Sequence, residues 1–354
     1  MEKTEDSGQR AVSRKATVRC RRSDVGVLGT LTLVVVSLFL SVCAAAQDMR
    51  SHNHRNSAAS ATDSVPNDDM LSQDWARQRL AKSPRHQEWV KVKNGNREVN
   101  SFVVYPEVKN KATAVVVIHE IFGMSDWVQS LTDQLAEAGY IAIAPDLLSG
   151  MGPKGGGTSE IAGVSNNAVG QAIRDLPPDQ ITADLNAVTD YVSKLPAANG
   201  KVVVAGFCWG GSQTFRFATN RPGLKAAFVF YGSEPMLGQP PNQTIDKASL
   251  GRISAPVYGF YAGNDMRINA TVPPTTDAMK ELNKTYDPVT YEGAGHGFMR
   301  AGEAPEPKAP EAKGDKDADD KAAADYQKAL TAYKANKKAR DEAWVRWKGI
   351  LQKL

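Results

Sequence analysis

Two rhythms of apolar residues organise the chain from residue 88 onward. Short runs of strand length alternate with longer segments whose apolar positions recur every three or four residues, the period of a helix. The strands read this way cover 88–92, 99–104, 114–119, 141–145, 201–207, 226–230, 257–261 and 288–291. Three of them, AVVVI at 114–118, VVVAGF at 202–207 and AAFVF at 226–230, contain no polar side chain. A strand that is apolar on both faces needs cover on both, and a mostly parallel central sheet with helices on both faces provides it. The expected fold class is therefore α/β.

The helical segments fit between these strands. One over 126–138 stops at Gly139, and one over 181–195 places Leu185, Val188, Val192 and Leu195 on a single face. A long helix over 321–354 aligns Trp344, Trp347, Leu351 and Leu354 in a stripe that is expected to pack against the sheet. Before the first strand, 70–81 carries Leu71, Trp75 and Leu80 and reads as a short docked helix. The glycine-rich stretch 150–157 reads as a surface loop, because it lacks the Gly-Lys-Ser/Thr ending of a phosphate-binding loop. Pro, Lys, Glu and Asp without periodicity mark 301–320 as a charged linker.

Composition refines this outline. A chain of 354 residues with 42% hydrophobic content can bury one substantial core, here expected over 70–300. Residues 1–46 hold seven of the 43 Lys/Arg and four of the 39 Asp/Glu, so the rest of the chain is nearly neutral at 36 against 35. That balance offers no basic footprint for nucleic acid. In the leader a basic stretch precedes an apolar run over 25–42, and Ala44-Ala45-Ala46 follows as a signal-peptidase site. Export to the periplasm or cell envelope is expected, through a cleaved signal, an uncleaved signal anchor that tethers the protein to a membrane, or a lipidated Cys43. Residues 47–69, polar and without period, are expected to be a flexible spacer.

Only Cys20, Cys43 and Cys208 are present, and the first two lie in the leader. A mature exported form would keep Cys208 alone, either as an inert buried residue or for its chemistry. Its surroundings favour chemistry. Gly206-Phe207-Cys208-Trp209-Gly210-Gly211 follows an apolar strand and precedes a helical stretch at 212–219, which is the pattern of a nucleophile elbow. Small neighbours are needed because the turn is tight and the nucleophile is strained. In an α/β-hydrolase the acid follows a late strand and the histidine lies near the end. Asp265 follows the 257–261 strand, and His296 lies in Gly293-Ala294-Gly295-His296-Gly297 after the last one. Taken singly, Asp265 also reads as a turn residue and His296 as a loop residue. Three required residue types at three required places favour a Cys208, His296, Asp265 triad, in which Asp265 orients the imidazole and His296 moves the proton. His52 and His54 lie in the spacer, His86 precedes the first strand, and no metal or organic cofactor is implied.

With His119-Glu120-Ile121-Phe122-Gly123 at the end of the third strand, the region 88–300 resembles the dienelactone hydrolase family. The resemblance implies hydrolysis of an ester or lactone, of the carboxymethylenebutenolidase kind, through an acyl-enzyme. It gives Glu120 the role of a carboxylate that meets the resting thiol and helps form the thiolate. It assigns the amides of Ile121 and Trp209 to the oxyanion hole, where the fold alone would also place them. It makes Arg300 a contact for a substrate carboxylate, and Tyr231 is a second candidate substrate contact. The family's archetypes use a further arginine soon after the fourth strand, where this chain has Leu147-Leu148-Ser149-Gly150. Judged as residues alone, Glu120 reads as a polar strand end and His119 as a packed side chain. Two other functions remain open on the same fold: a non-catalytic cell-envelope binding or scaffold protein, and a redox-sensing thiol protein.

Overall fold

The computed structural model describes residues 70–165, 167–238 and 242–354, so the leader and the whole of the expected spacer lie outside the described residues. Eight strands form one sheet. In chain order they are β1 (Gln87–Asn94), β2 (Arg97–Val104), β3 (Ala112–Ile118), β4 (Ile141–Pro145), β5 (Ala198–Phe207), β6 (Ala227–Phe230), then β9 (Val257–Ala262) and β10 (Tyr286–Tyr291), with a two-residue pair β7 (Met236–Leu237) and β8 (Thr244–Ile245) standing apart. The spatial order is β1-β2-β4-β3-β5-β6-β9-β10. The first two pairings are antiparallel and every other pairing in the sheet is parallel.

The doubly apolar strands are covered as their composition requires. Val116, Ile118, Val202 and Val204 face one core with Ile181, Leu185, Val188 and Val192 of a helix at Pro178–Ser193. Val115, Val117, Val203, Ala205 and Phe207 face the other core with Trp127, Val128, Leu131 and Leu135 of a helix at Asp126–Glu137. Alternate residues of one strand thus enter opposite cores, the period of two expected of a pleated strand. The chain is an α/β-hydrolase fold with a mostly parallel central sheet.

The helices, in chain order, are α1 (Asp74–Ala81), α2 (Asp126–Glu137), α3 (Thr158–Ala162), α4 (Ala168–Arg174), α5 (Pro178–Ser193), α6 (Trp209–Asn220), α7 (Lys247–Gly251), α8 (Met266–Asn269), α9 (Val272–Glu281), α10 (Phe298–Ala301) and α11 (Lys316–Leu351). Three of them start earlier than their apolar periodicity indicates. Helix α5 begins at Pro178, whose ring already has helical φ. Helix α6 begins at Trp209 rather than at 212, directly after Cys208. Helix α11 begins at Lys316 rather than at 321, because Asp315 accepts hydrogen bonds from the amides of Asp317 (3.1 Å) and Ala318 (3.2 Å) and caps it inside the expected linker.

The C-terminal half of α11 completes the second core. Trp347 is fully buried, with ring centroids 6.0 Å from Phe207, 5.8 Å from Phe228 and 4.9 Å from Phe230. Arg346 donates to the carbonyls of Gly259 (3.0 Å) and Asp287 (2.7 Å) and lies over Phe260. Leu351 is buried as expected, whereas Trp344 and Leu354 pack at the margin of the same core. Trp347→Ala is expected to lower the unfolding free energy by about 3–5 kcal/mol, the range for emptying a buried aromatic site. Trp347→Phe is expected to cost far less, since the indole Nε1 has no hydrogen-bond partner among the described residues. Urea midpoints for the two variants check this, and an unchanged midpoint in Trp347→Ala would show that Trp347 contributes no packing of its own.

Candidate active site

Parallel strands end on one edge of the sheet, and side chains just beyond those ends converge there. Glu120 follows β3, Cys208 follows β5, Tyr231 follows β6, Asp265 follows β9 and His296 follows β10. The topology therefore gathers residues that are far apart in sequence.

The elbow is built by steric exclusion. A Cβ on Gly206 would overlap the carbonyl oxygen of Gly210, one on Gly210 would overlap the carbonyls of Ile118 and His119, and one on Gly211 would overlap that of Phe230. Glycine at these positions lets α6 cross tightly over β3 and β6. Cys208 is left at φ 56°, ψ −119°, a conformation that costs a non-glycine residue about 1–3 kcal/mol. Its amide is fixed to Phe230 O at 3.0 Å, and its side chain is only partly buried.

His296 stands beside this thiol. Its Nδ1 hydrogen-bonds Asp265 Oδ2, which leaves Nε2 for the neighbouring Cys208. Burial by itself would push the imidazole pKa down. The hydrogen bond to the Asp265 carboxylate and the nearness of Cys208 outweigh burial and raise it to about 10. On Asp265 burial acts to raise the pKa, but the bond to His296 and the amide of Ile268 hold it below its ordinary value. The loop around His296 is braced on two sides. From the acid side, Asn264 N donates to Ala294 O (2.9 Å) and Asn264 Nδ2 to Gly293 O (2.9 Å). From α11, Asn336 Oδ1 accepts from Gly295 N (2.8 Å).

Glu120 and Arg300 lie next to these residues but are paired with each other. Arg300 Nε donates to Glu120 Oε2 at 2.8 Å, with the carboxylate buried and the guanidinium 15% exposed. Among the described residues no hydrogen bond joins Glu120 to Cys208, so the thiol contact implied by resemblance is absent from this arrangement. Tyr231, with φ 40°, sets its ring 5.1 Å from that of His296. Burial pushes its hydroxyl pKa well up, and that hydroxyl faces Glu120 without forming a good hydrogen bond. The amides of Ile121 and Trp209, expected to form an oxyanion hole, are each unengaged by other described residues.

His119 is packed, as its residue type alone indicates. Its ring stacks on Trp209 at 5.5 Å, Nδ1 donates to Glu120 O (2.8 Å) and Nε2 accepts from Leu147 N (3.4 Å). Burial lowers its pKa, which keeps the neutral tautomer that these bonds need. Four further contributors carry no motif in the sequence. Asp146 accepts from Thr158 N (2.8 Å) and Thr158 Oγ1 (2.7 Å), pinning the loop of residues 150–157 beside the turn after β3. Asn264 and Asn336 are the braces described above. Gly170 of helix α4 packs beside Ile121: a Cβ there would stand 3.8 Å from Ile121 Cγ1. Of the four, only Asn264 has a sequence signal, its place next to Asp265. No group of three or more potential ligands is arranged to hold a metal among the described residues.

Residues 99–354 match the family model of the dienelactone hydrolase family. A Salmonella typhi protein provisionally named a carboxymethylenebutenolidase is 31% identical over 207 residues, 57% of this chain and 73% of its own. A Yersinia pestis protein with the same name is 31% identical over 189 residues, 52% of this chain and 67% of its own. The structure of a provisionally named dienelactone hydrolase from Klebsiella pneumoniae superposes with a TM-score of 0.53 at 24% identity, covering 70% of this chain and 98% of its own. That of a dienelactone hydrolase-like promiscuous phosphotriesterase from metagenomic libraries gives 0.54 at 19%, covering 76% and 98%. Both likenesses show the fold.

The raised pKa of His296 sets the sign of a pH dependence. Its folded value of about 10 exceeds the ordinary 6.5, so its contribution to stability is full below about pH 6.5 and is lost as pH rises through about 10. Unfolding free energy is expected to fall between those limits, and His296→Gln is expected to flatten the fall. Denaturant titrations at several pH values check this. The same slope in both proteins would mean that the imidazolium is not held in the folded state.

Proposed function

The chain belongs to the dienelactone hydrolase family, and on that footing we propose that this hydrolase cleaves a carboxylic ester or lactone through a Cys208, His296, Asp265 triad and an acyl-enzyme. The observation that carries the reading is the strained Cys208 at the head of α6, beside an imidazole whose Nδ1 is held by Asp265.

In the first half-reaction the Cys208 sulfur attacks the carbonyl carbon and the carbonyl oxygen takes up negative charge. The amides of Ile121 and Trp209, the latter opening α6, are the donors for that oxygen. The ester C–O bond then breaks, and the leaving oxygen takes its proton from His296 Nε2. In the second half-reaction water gives a proton back to His296 and attacks the thioester carbonyl. The C–S bond breaks, the acid is released and the thiolate returns. Through both halves Asp265 accepts from Nδ1 and supports the imidazolium. A lactone follows the same course, with the leaving hydroxyl remaining part of the product. Arg300, compensated by Glu120, offers its remaining guanidinium N–H groups to an acidic substrate. The basic stretch and apolar run of the leader support an exported protein, tethered or released according to how the leader is processed.

The test is hydrolysis of an aryl acetate and of an unsaturated lactone. Turnover is expected with the unaltered protein, and a loss of about a thousandfold or more in kcat with Cys208→Ala or with His296→Ala. Undiminished turnover in Cys208→Ala would sink the thiol mechanism. A protein inactive on both compounds would shift the weight to a binding or redox role.

A further inference from the structure

We propose that Asn336 on helix α11 is a positioning residue for His296, so that the C-terminal helix forms part of the catalytic apparatus as well as of the core. The inference rests on the triad reading above and extends it to an element about 40 residues further along the chain.

The loop that carries His296 turns twice through the left-handed region, at Gly293 (φ 75°) and Gly297 (φ 79°). Such a loop has no ladder hydrogen bonds of its own to hold it, and a buried amide left unpaired would cost about 1–3 kcal/mol. Its first half is tied to the loop bearing Asp265 by Asn264. Gly295, the residue directly before His296, is tied elsewhere: its N–H donates to Asn336 Oδ1 at 2.8 Å. Helix α11 abuts the loop closely along this stretch. A Cβ on Gly293 would stand 3.5 Å from Ala335 Cβ, one on Gly295 3.7 Å from Asn336 Oδ1, and one on Gly302 would press on the Asn336 backbone.

Helix α11 is itself immobilised against the nucleophile's strand. Three turns beyond Asn336, Trp347 packs on Phe207, the residue before Cys208, and Arg346 binds the carbonyls of Gly259 and Asp287. On the near side Arg340 pairs with Glu303 and donates to Gln134 Oε1 at 2.7 Å. One rigid helix therefore registers the His296 loop against the Cys208 strand. The Asp265 loop fixes His296 from one side only, and Asn336 supplies the second point that sets how far Nε2 stands from the sulfur. The neighbouring packing contacts can hold the helix in place without Asn336, but they cannot bond the Gly295 amide.

The experiment compares the unaltered full-length chain with Asn336→Ala, Asn336→Leu and Asn336→Asp. Alanine favours a helix more than asparagine does, leucine keeps volume, and aspartate keeps an acceptor for the Gly295 amide. Three quantities are read: kcat and KM on the aryl ester, the pH profile of iodoacetamide alkylation at Cys208, and the thermal midpoint. Alkylation is followed by peptide mass spectrometry so that Cys20 and Cys43 do not contribute. The expected result is a loss of about tenfold or more in kcat for both apolar variants, within what a misplacement of about 1 Å produces. KM should stay within about twofold. Alkylation of Cys208 near neutral pH should slow in the same variants, and Asn336→Asp should restore both rates. A helix brace with no part in positioning would lower the thermal midpoint and leave the alkylation profile unmoved, and that result overturns the proposal. So does wild-type kcat in both apolar variants. If the unaltered chain hydrolyses no ester yet the alkylation profile shifts as described, the acyl-transfer reading fails and the positioning role stands.

Discussion

Helix α6 has to start at the residue after Cys208 while crossing the backbones of β3 and β6, and the rest of the site depends on that close passage. Side chains at 206, 210, 211 or 232 would collide with main-chain atoms, so the crossing exists only with glycine there. Because the helix starts so early, Cys208 takes a backbone conformation that a relaxed strand end would avoid. For the same reason the Trp209 amide, the first of the helix, stays unengaged by other described residues. Phe207, stacked on Phe230 at 4.5 Å and wedged by Trp127 and Trp347, keeps the strand beneath from relaxing. Strain at one residue persists because packing on every side over-determines it.

Around this fixed point two acid–base pairs share one small space and behave differently. Asp265 and His296 form a pair in which the imidazole is partly exposed, at 36% of its side chain, and takes up a proton because the Asp265 carboxylate favours it. Glu120 and Arg300 form a buried pair whose charges neutralise each other. Removing one member of such a pair leaves the other buried without compensation, a loss that exceeds the pair's net contribution. Separating Glu120 from Arg300 is therefore costly unless another charge takes the place of the one that leaves. Tyr231 touches both pairs, with its ring against His296 and its hydroxyl towards Glu120, so any shift in one pair is felt by the other.

The sheet was legible because continuous apolar runs leave few alternatives, and all eight strands lie where AVVVI, VVVAGF, AAFVF and their neighbours indicate. The triad candidates were legible for a related reason. A parallel sheet delivers strand ends to one edge, so a cysteine, an acid and a histidine after β5, β9 and β10 are brought together by topology alone. Partnerships among charged residues were not legible. Glu120 and Arg300 are 180 positions apart, and nothing local distinguishes a carboxylate that meets the thiol from one that meets a guanidinium. The start of α11 was hidden because a capping aspartate followed by Asp317 and Asp319 in the first turn looks, in composition, like the linker before it.

Helix α11 shows how one element can carry two kinds of stability. At 36 residues and 1.5 Å per residue it is about 54 Å long, yet its buried residues are Ala339, Ala343, Trp347 and Leu351, all in the second half. That half is held by packing, which fixes position. The first half is mostly exposed and has Lys316–Asp320 and Lys321–Asp325 pairs one turn apart, which solvent screens to a small contribution. Such pairs favour helix over coil but do not fix where the helix lies. Asn336 sits where the first regime gives way to the second, three residues before Ala339. A hydrogen bond from the His296 loop to that position is as well anchored as one to the core, while leaving the exposed turns free to vary without disturbing the site.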